Sequence, residues 1–112
     1  MMPADPIKLV QGDSLPYVYL ELSGSLDGSA IDLTDPSTNV RVRFKSTKSR
    51  AVLKTILCEK VEPAQGKVRF NFSSGTLDVP PGTYEGEIEI DFDGQTETIY
   101  DVLKFVVRPQ FA

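Results

Sequence analysis

Residues 82–94 alternate strictly between two kinds of side chain. Glu85, Glu87, Glu89 and Asp91 take the odd positions, and Tyr84, Gly86, Ile88, Ile90 and Phe92 the even ones. A period of two marks an antiparallel strand with one buried and one wet face. Residues 40–45 repeat the pattern with opposite charge: Arg41, Arg43 and Lys45 alternate with Val40, Val42 and Phe44. The two segments are predicted to pair, base facing acid across one sheet. Opposite charges across strands contribute only about 0.2–1 kcal/mol each. Their larger service is register, because a slip of one residue would bury the whole charged row.

The same pattern reading extends along the chain. Residues 7–10 are predicted as a short first strand after a proline-flanked arm at 1–6. Residues 15–22 follow as a second, with Val18, Leu20 and Leu22 inward and Tyr17, Tyr19 and Glu21 outward. A turn-rich connection covers 23–29, and a short extended piece at 31–34 ends at Asp35-Pro36. The basic strand spans 39–46. Residues 51–61 alternate poorly, with Leu53, Ile56 and Leu57 mixed in phase. A helix of that length is conceivable, but the β-branched Val52, Thr55, Ile56 and Val61 favour a strand. A turn at 63–66 leads into residues 67–72, with Val68, Phe70 and Phe72 inward, and a loop at 73–81 precedes the acidic strand. Asp93-Gly94 signals a hairpin turn. The last strand runs from about 96 to 107 and ends at Pro109, leaving a short arm at 109–112.

About seven short strands with regularly spaced turn signals predict an all-β fold, an immunoglobulin-like antiparallel β-sandwich. The chain has neither the tryptophan nor the cysteine pair of a true immunoglobulin domain. Tyr84, after Pro81-Gly82-Thr83, stands where a tyrosine corner would sit, and Gly86 where the second cysteine would. The 112 residues are read as a single domain, 1–112, large enough for a core without staples.

Composition narrows the chemistry. There is no histidine, so Ser-His-Asp, Cys-His and histidine-metal sites are excluded, and no enzyme is expected. The exposed alternating acids read as a solvated face rather than a general acid–base pair. Asp91, Asp93, Gly94 and Glu97 loosely suggest a calcium loop, but the spacing suits a turn and not an EF-hand. No metal or cofactor is expected. Cys58 is the only cysteine and reads as a small buried hydrophobe. The start lacks the basic and apolar regions of a signal peptide, and no apolar run is long enough to span a bilayer, so no membrane is expected. The net charge of −4 and pI near 4.7 argue against nucleic acid. Charge is also segregated along the chain: residues 41–70 hold nine Lys or Arg against Glu59 and Glu62, while residues 71–101 hold eight acids and no base. Strand pairing accounts for this, and so would an oppositely charged partner.

Five residues stand out as candidate protein contacts. Val102 and Val106 fall on the face opposite Leu103, Phe105 and Val107, Tyr17 and Tyr19 point outward, and Phe111 lies in the terminal arm. Exposed apolar and aromatic groups mark interfaces; cross-strand packing is the alternative reading.

A family resemblance rests on a series of short motifs. These are Gln11-Gly12-Asp13-Ser14-Leu15-Pro16, the run from Asp27 through Gly28, Ile31 and Asp32 to Thr34, and Val40-Arg41-Val42-Arg43-Phe44. They continue with Gly66-Lys67-Val68, Pro81-Gly82-Thr83-Tyr84 and Asp93-Gly94-Gln95-Thr96-Glu97-Thr98. In this order they resemble the amino-terminal immunoglobulin-like domain of phage upper baseplate proteins, over about residues 7–108. The resemblance implies a virion component, made in the bacterial host cytoplasm, that binds other virion proteins and assembles as a homo-oligomer. The sequence stops after the domain, which favours a tail or baseplate adaptor or a capsid decoration protein. A carbohydrate- or receptor-binding module at the host surface is the alternative, with tyrosines as its only aromatic platform.

Overall fold

The computed structural model describes residues 6–24, 28–73 and 77–111. Most of the predicted arm at 1–6, the middle of the connection at 23–29, part of the loop at 73–81 and the last residue of the tail lie outside them. Among the described residues, nine strands form two sheets. The larger has the order β1 (Ile7–Val10), β9 (Leu103–Arg108), β7 (Gly82–Phe92), β3 (Thr38–Ser46), β4 (Lys54–Leu57), with β8 (Gln95–Thr98) also on β7. The smaller has the order β2 (Val18–Glu21), β6 (Lys67–Phe70), β5 (Glu59–Glu62). The fold is an all-β sandwich, as the turn spacing predicts. Pairing is antiparallel among the described strands except at one edge, where β1 runs parallel to β9.

Two predicted strands are each divided, which raises the number from about seven to nine. The poorly alternating run at 51–61 becomes β4 in one sheet and β5 in the other, with Cys58 at the crossing. Ile56 and Cys58 point into the core while Leu53 and Leu57 stay exposed, so the mixed phase reflects a chain changing sheets. The predicted last strand is broken at residues 99–102. There Glu89 pairs with Thr98 but Gly86 pairs with Leu103, so the outer chain carries two more residues than β7 over the same span. An even surplus preserves the alternation, and Leu103, Phe105 and Val107 are buried as the pattern requires. Residues 31–34 form no strand, yet Leu33 is buried, and the Asp32 carboxylate accepts hydrogen bonds from the amide and hydroxyl of Thr34.

The spine is the pairing of β3 with β7, nine pairs from Thr38↔Phe92 to Ser46↔Tyr84. Inward from it, Phe44 stacks on Tyr84 at 4.9 Å between ring centroids and meets Phe72 and Phe105 edge-on at 5.5 and 5.4 Å. Phe70 and Phe72 come from the smaller-sheet side, so this cluster joins the two layers. Edge-to-face aromatic pairs add roughly 0.5–1.5 kcal/mol beyond their buried area. The Tyr84 hydroxyl donates to the Pro80 carbonyl four residues back, the tyrosine-corner contact expected from Pro81-Gly82-Thr83-Tyr84.

Gly86 sits inside this packing. A Cβ there would lie 2.9 Å from Val42 Cγ1 and 3.0 Å from Phe105 Cε2, closer than packed carbon atoms tolerate. Gly86→Ala should therefore destabilise the fold by about 1–3 kcal/mol through overpacking. Chemical denaturation measures it, and an unchanged midpoint would contradict the packing described.

Candidate protein-binding surfaces

On the outer face of the smaller sheet, Tyr19, Arg69 and Glu59 stand side by side across β2, β6 and β5. Arg69 connects them: its guanidinium lies 4.1 Å over the Tyr17 ring, donates to the Tyr19 hydroxyl at 3.3 Å, and pairs with Glu59. The Tyr19 hydroxyl, then Glu59, raise the Arg69 pKa further above its ordinary value. The two tyrosine rings are 6.4 Å apart and tilted by 50°, so they present an edge rather than a flat platform. Tyr19 is 63% exposed, and Leu15 is also exposed.

The outer face of the larger sheet carries the predicted rows of base and acid. Arg41 pairs with Glu89 at 2.6 Å and Lys45 with Glu85 at 2.9 Å, directly across the ladder. Arg43 instead leans diagonally to Glu89 at 3.1 Å, although Glu87 stands opposite it. Glu87 is exposed and makes no ion pair among the described residues, and the buried Nε of Arg43 has no hydrogen-bond partner. Hydrogen bonds from Arg43 and then Arg41 hold the Glu89 carboxyl below the usual carboxylate range. Val106 lies on this face in a shallow apolar groove of about 300 Å³ that it lines with Pro6, Lys8, Leu9, Val10 and Arg108. Val102 is half-buried near Arg43, Glu85 and Glu87.

The five predicted contact residues therefore do not form one site. Tyr17 and Tyr19 lie on one outer face, Val102 and Val106 on the other. Phe111 stands apart and exposed, with the Arg108 guanidinium 4.9 Å from its ring centroid. A concave pocket of about 480 Å³ at the Ser46 end of β3 escaped the sequence reading; Leu53, Pro80, Pro81, Tyr84 and Lys48 are among its walls. The Pro80-Pro81 pair was its one visible signal, since prolines beside a tyrosine corner fix a rigid rim. Leu57 and Tyr100, 69% and 95% exposed, were likewise unmarked. Cys58 is buried as predicted, and burial pushes its thiol pKa up to about 12. Asp93 and Gly94 both have positive φ, as a two-residue type I′ turn requires, and the Asp91 carboxylate accepts from the Gly94 amide at 3.0 Å. No helix among the described residues is long and apolar enough to cross a membrane.

The fold is shared with a phage protein domain. Over 96% of this chain and 86% of the other, the structure resembles the N-terminal domain of phage TP901-1 ORF48, with a TM-score of 0.55 at 11% sequence identity. At that identity the likeness is one of fold. That neighbour is an amino-terminal phage domain, of the kind to which the order of turn motifs points. No protein-family model and no curated protein matches the sequence.

The Glu89 pairing has a pH consequence. Because its pKa is lowered in the folded state, it adds stability above its unfolded value, and that stability is lost as pH falls through the folded value. Glu89→Gln should cost about 1 kcal/mol at neutral pH. It should also flatten the loss of stability below about pH 4. Denaturation midpoints across pH would test this; parallel curves for variant and wild type would rule it out.

Proposed function

We propose that this protein is a non-enzymatic structural component of a bacteriophage particle, serving as a tail or baseplate adaptor or a capsid decoration protein. It is made in the bacterial host and held in the virion by contacts with other virion proteins and with copies of itself. The observation that carries this reading is the fold likeness to the N-terminal domain of phage TP901-1 ORF48 across nearly the whole chain. The surface supports it: exposed apolar and aromatic side chains lie on both outer faces, as expected of a small unit with more than one neighbour. The geometry weighs against the carbohydrate-binding alternative. Arg69 covers one face of the Tyr17 ring, and the tilt of Tyr19 leaves no flat pair on which a sugar would stack.

Mass spectrometry of purified particles, with heads and tails separated before digestion, should find the protein in one fraction. Tail peptides identify an adaptor and head peptides a decoration protein; absence from both refutes the proposal. A Tyr19→Ser, Val106→Ser double variant should keep the wild-type melting temperature but fall about tenfold or more in particle content. Normal incorporation of that variant would move the contact away from these residues.

A further inference from the structure

The molecule measures 44 × 24 × 23 Å, and its two ends differ in charge. The β3–β7 ladder places the Asp93-Gly94 turn at one end, beside Thr38, and residues 47–53 at the other, beside Ser46 and Tyr84. Eleven residues of β7 separate them by roughly 35 Å.

The turn end is exposed and acidic. Residues 93–98 are all exposed, and Asp93 and Glu97 make no ion pair among the described residues. Asp35 and Glu62 lie at the same end. Its bases are engaged locally: Lys60 donates to the Asp35 carbonyl, and Lys67 is 3.7 Å from Glu62. The opposite end is concave and basic. There the pocket walled by Leu53, Pro80, Pro81 and Tyr84 has Lys48 among its lining residues. Lys54 opens β4 next to Leu53, and neither it nor Lys48 has an ion-pair partner among the described residues; Arg50 lines instead the outer-face hollow with Glu85, Glu87 and Val102. Of the acids of that end, Asp13 and Asp78 are set on its β1 side, where Gly12 bonds to Leu77, and Glu85 is paired with Lys45.

We propose that these ends are mates. The acidic β7–β8 hairpin of one copy docks on the Lys48-bearing pocket of the next, so that copies join head to tail. The turn supplies unpaired carboxylates, and the pocket supplies a largely apolar wall with the unpaired Lys48 in it. One chain cannot make this contact with itself across its own length. A contact between unlike patches is heterologous and builds rings or open strings rather than closed two-fold dimers. Charge complementarity sets the polarity of addition, since like ends repel. The inference rests on the reading of this protein as a unit assembled in copies, and names the surfaces that would do so.

Sedimentation velocity over a range of protein concentrations tests it with the intact chain and two charge variants. One carries Lys48→Glu and Lys54→Glu. The other carries Asp93→Asn and Glu97→Lys, asparagine being chosen because it tolerates the positive φ at that position. Thermal melts establish that both remain folded. The wild type should gain mean mass with concentration at low salt and lose the gain at high salt, where such charges are screened. Each variant alone should remain monomeric, and an equimolar mixture should associate again, because the native hairpin of the first meets the native pocket of the second and the new acidic rim of the first meets the new basic hairpin of the second. A wild type monomeric at every concentration in low salt would overturn the proposal. So would variants that associate as the wild type does, or a mixture that stays monomeric. Particle content is a separate readout: a monomeric wild type found in virions removes this interface and leaves the structural role, whereas self-association without incorporation does the reverse.

Discussion

The register between β3 and β7 is the constraint on which the rest of the structure depends. Its nine pairs place every apolar side chain of both strands inward and every charged one outward. A one-residue slip would bury Arg41, Arg43, Glu87 and Glu89 and expose Val40, Val42, Ile88 and Ile90, an exchange that ion pairs in a low-dielectric core would not repair. The rows of charge therefore act mainly as a penalty against wrong pairings. The diagonal reach of Arg43 to Glu89 fits that role, because register survives even where side chains do not pair straight across.

From this ladder the second layer follows. Phe44 and Tyr84 project from adjacent spine strands, Phe105 from β9, and Phe70 and Phe72 close over them from the other side. The close approach is possible because Gly86 leaves room for Phe105. The same strands carry the surfaces proposed for function. The hairpin and the proline-rimmed pocket are the two ends of one ladder, and the exposed tyrosines and valines lie on the two outer faces. Contacts at ends and faces together would let a small rigid unit join more than one neighbour.

Much of the fold was legible because strict alternation leaves little choice: β3, β6 and β7 emerge with their inward residues as read, and Tyr84 makes its corner. What was not legible depends on events that local pattern does not encode. The change of sheet at Cys58 looks like a confused strand, since the inward direction is redefined within it. The two-residue surplus at 99–102 is silent because an even insertion preserves phase. Candidate contacts fared differently. Alternation placed Tyr19 and Val106 outward, but it says nothing about which outer face belongs to which sheet, so residues on opposite sides were grouped together. The pocket at Pro80 and Pro81 is assembled from two distant segments and had no periodic signature.

Native-state hydrogen exchange tests the spine most directly. Both β3 and β7 are flanked by strands on each side, so the amides of Val40, Val42, Phe44, Ile88 and Ile90 should exchange only through global unfolding. Those of β8 and β5 should exchange by cheaper local openings. Exchange in β3 and β7 that is as fast as in the smaller sheet would contradict the account, because the ladder would then not be the element that orders the rest.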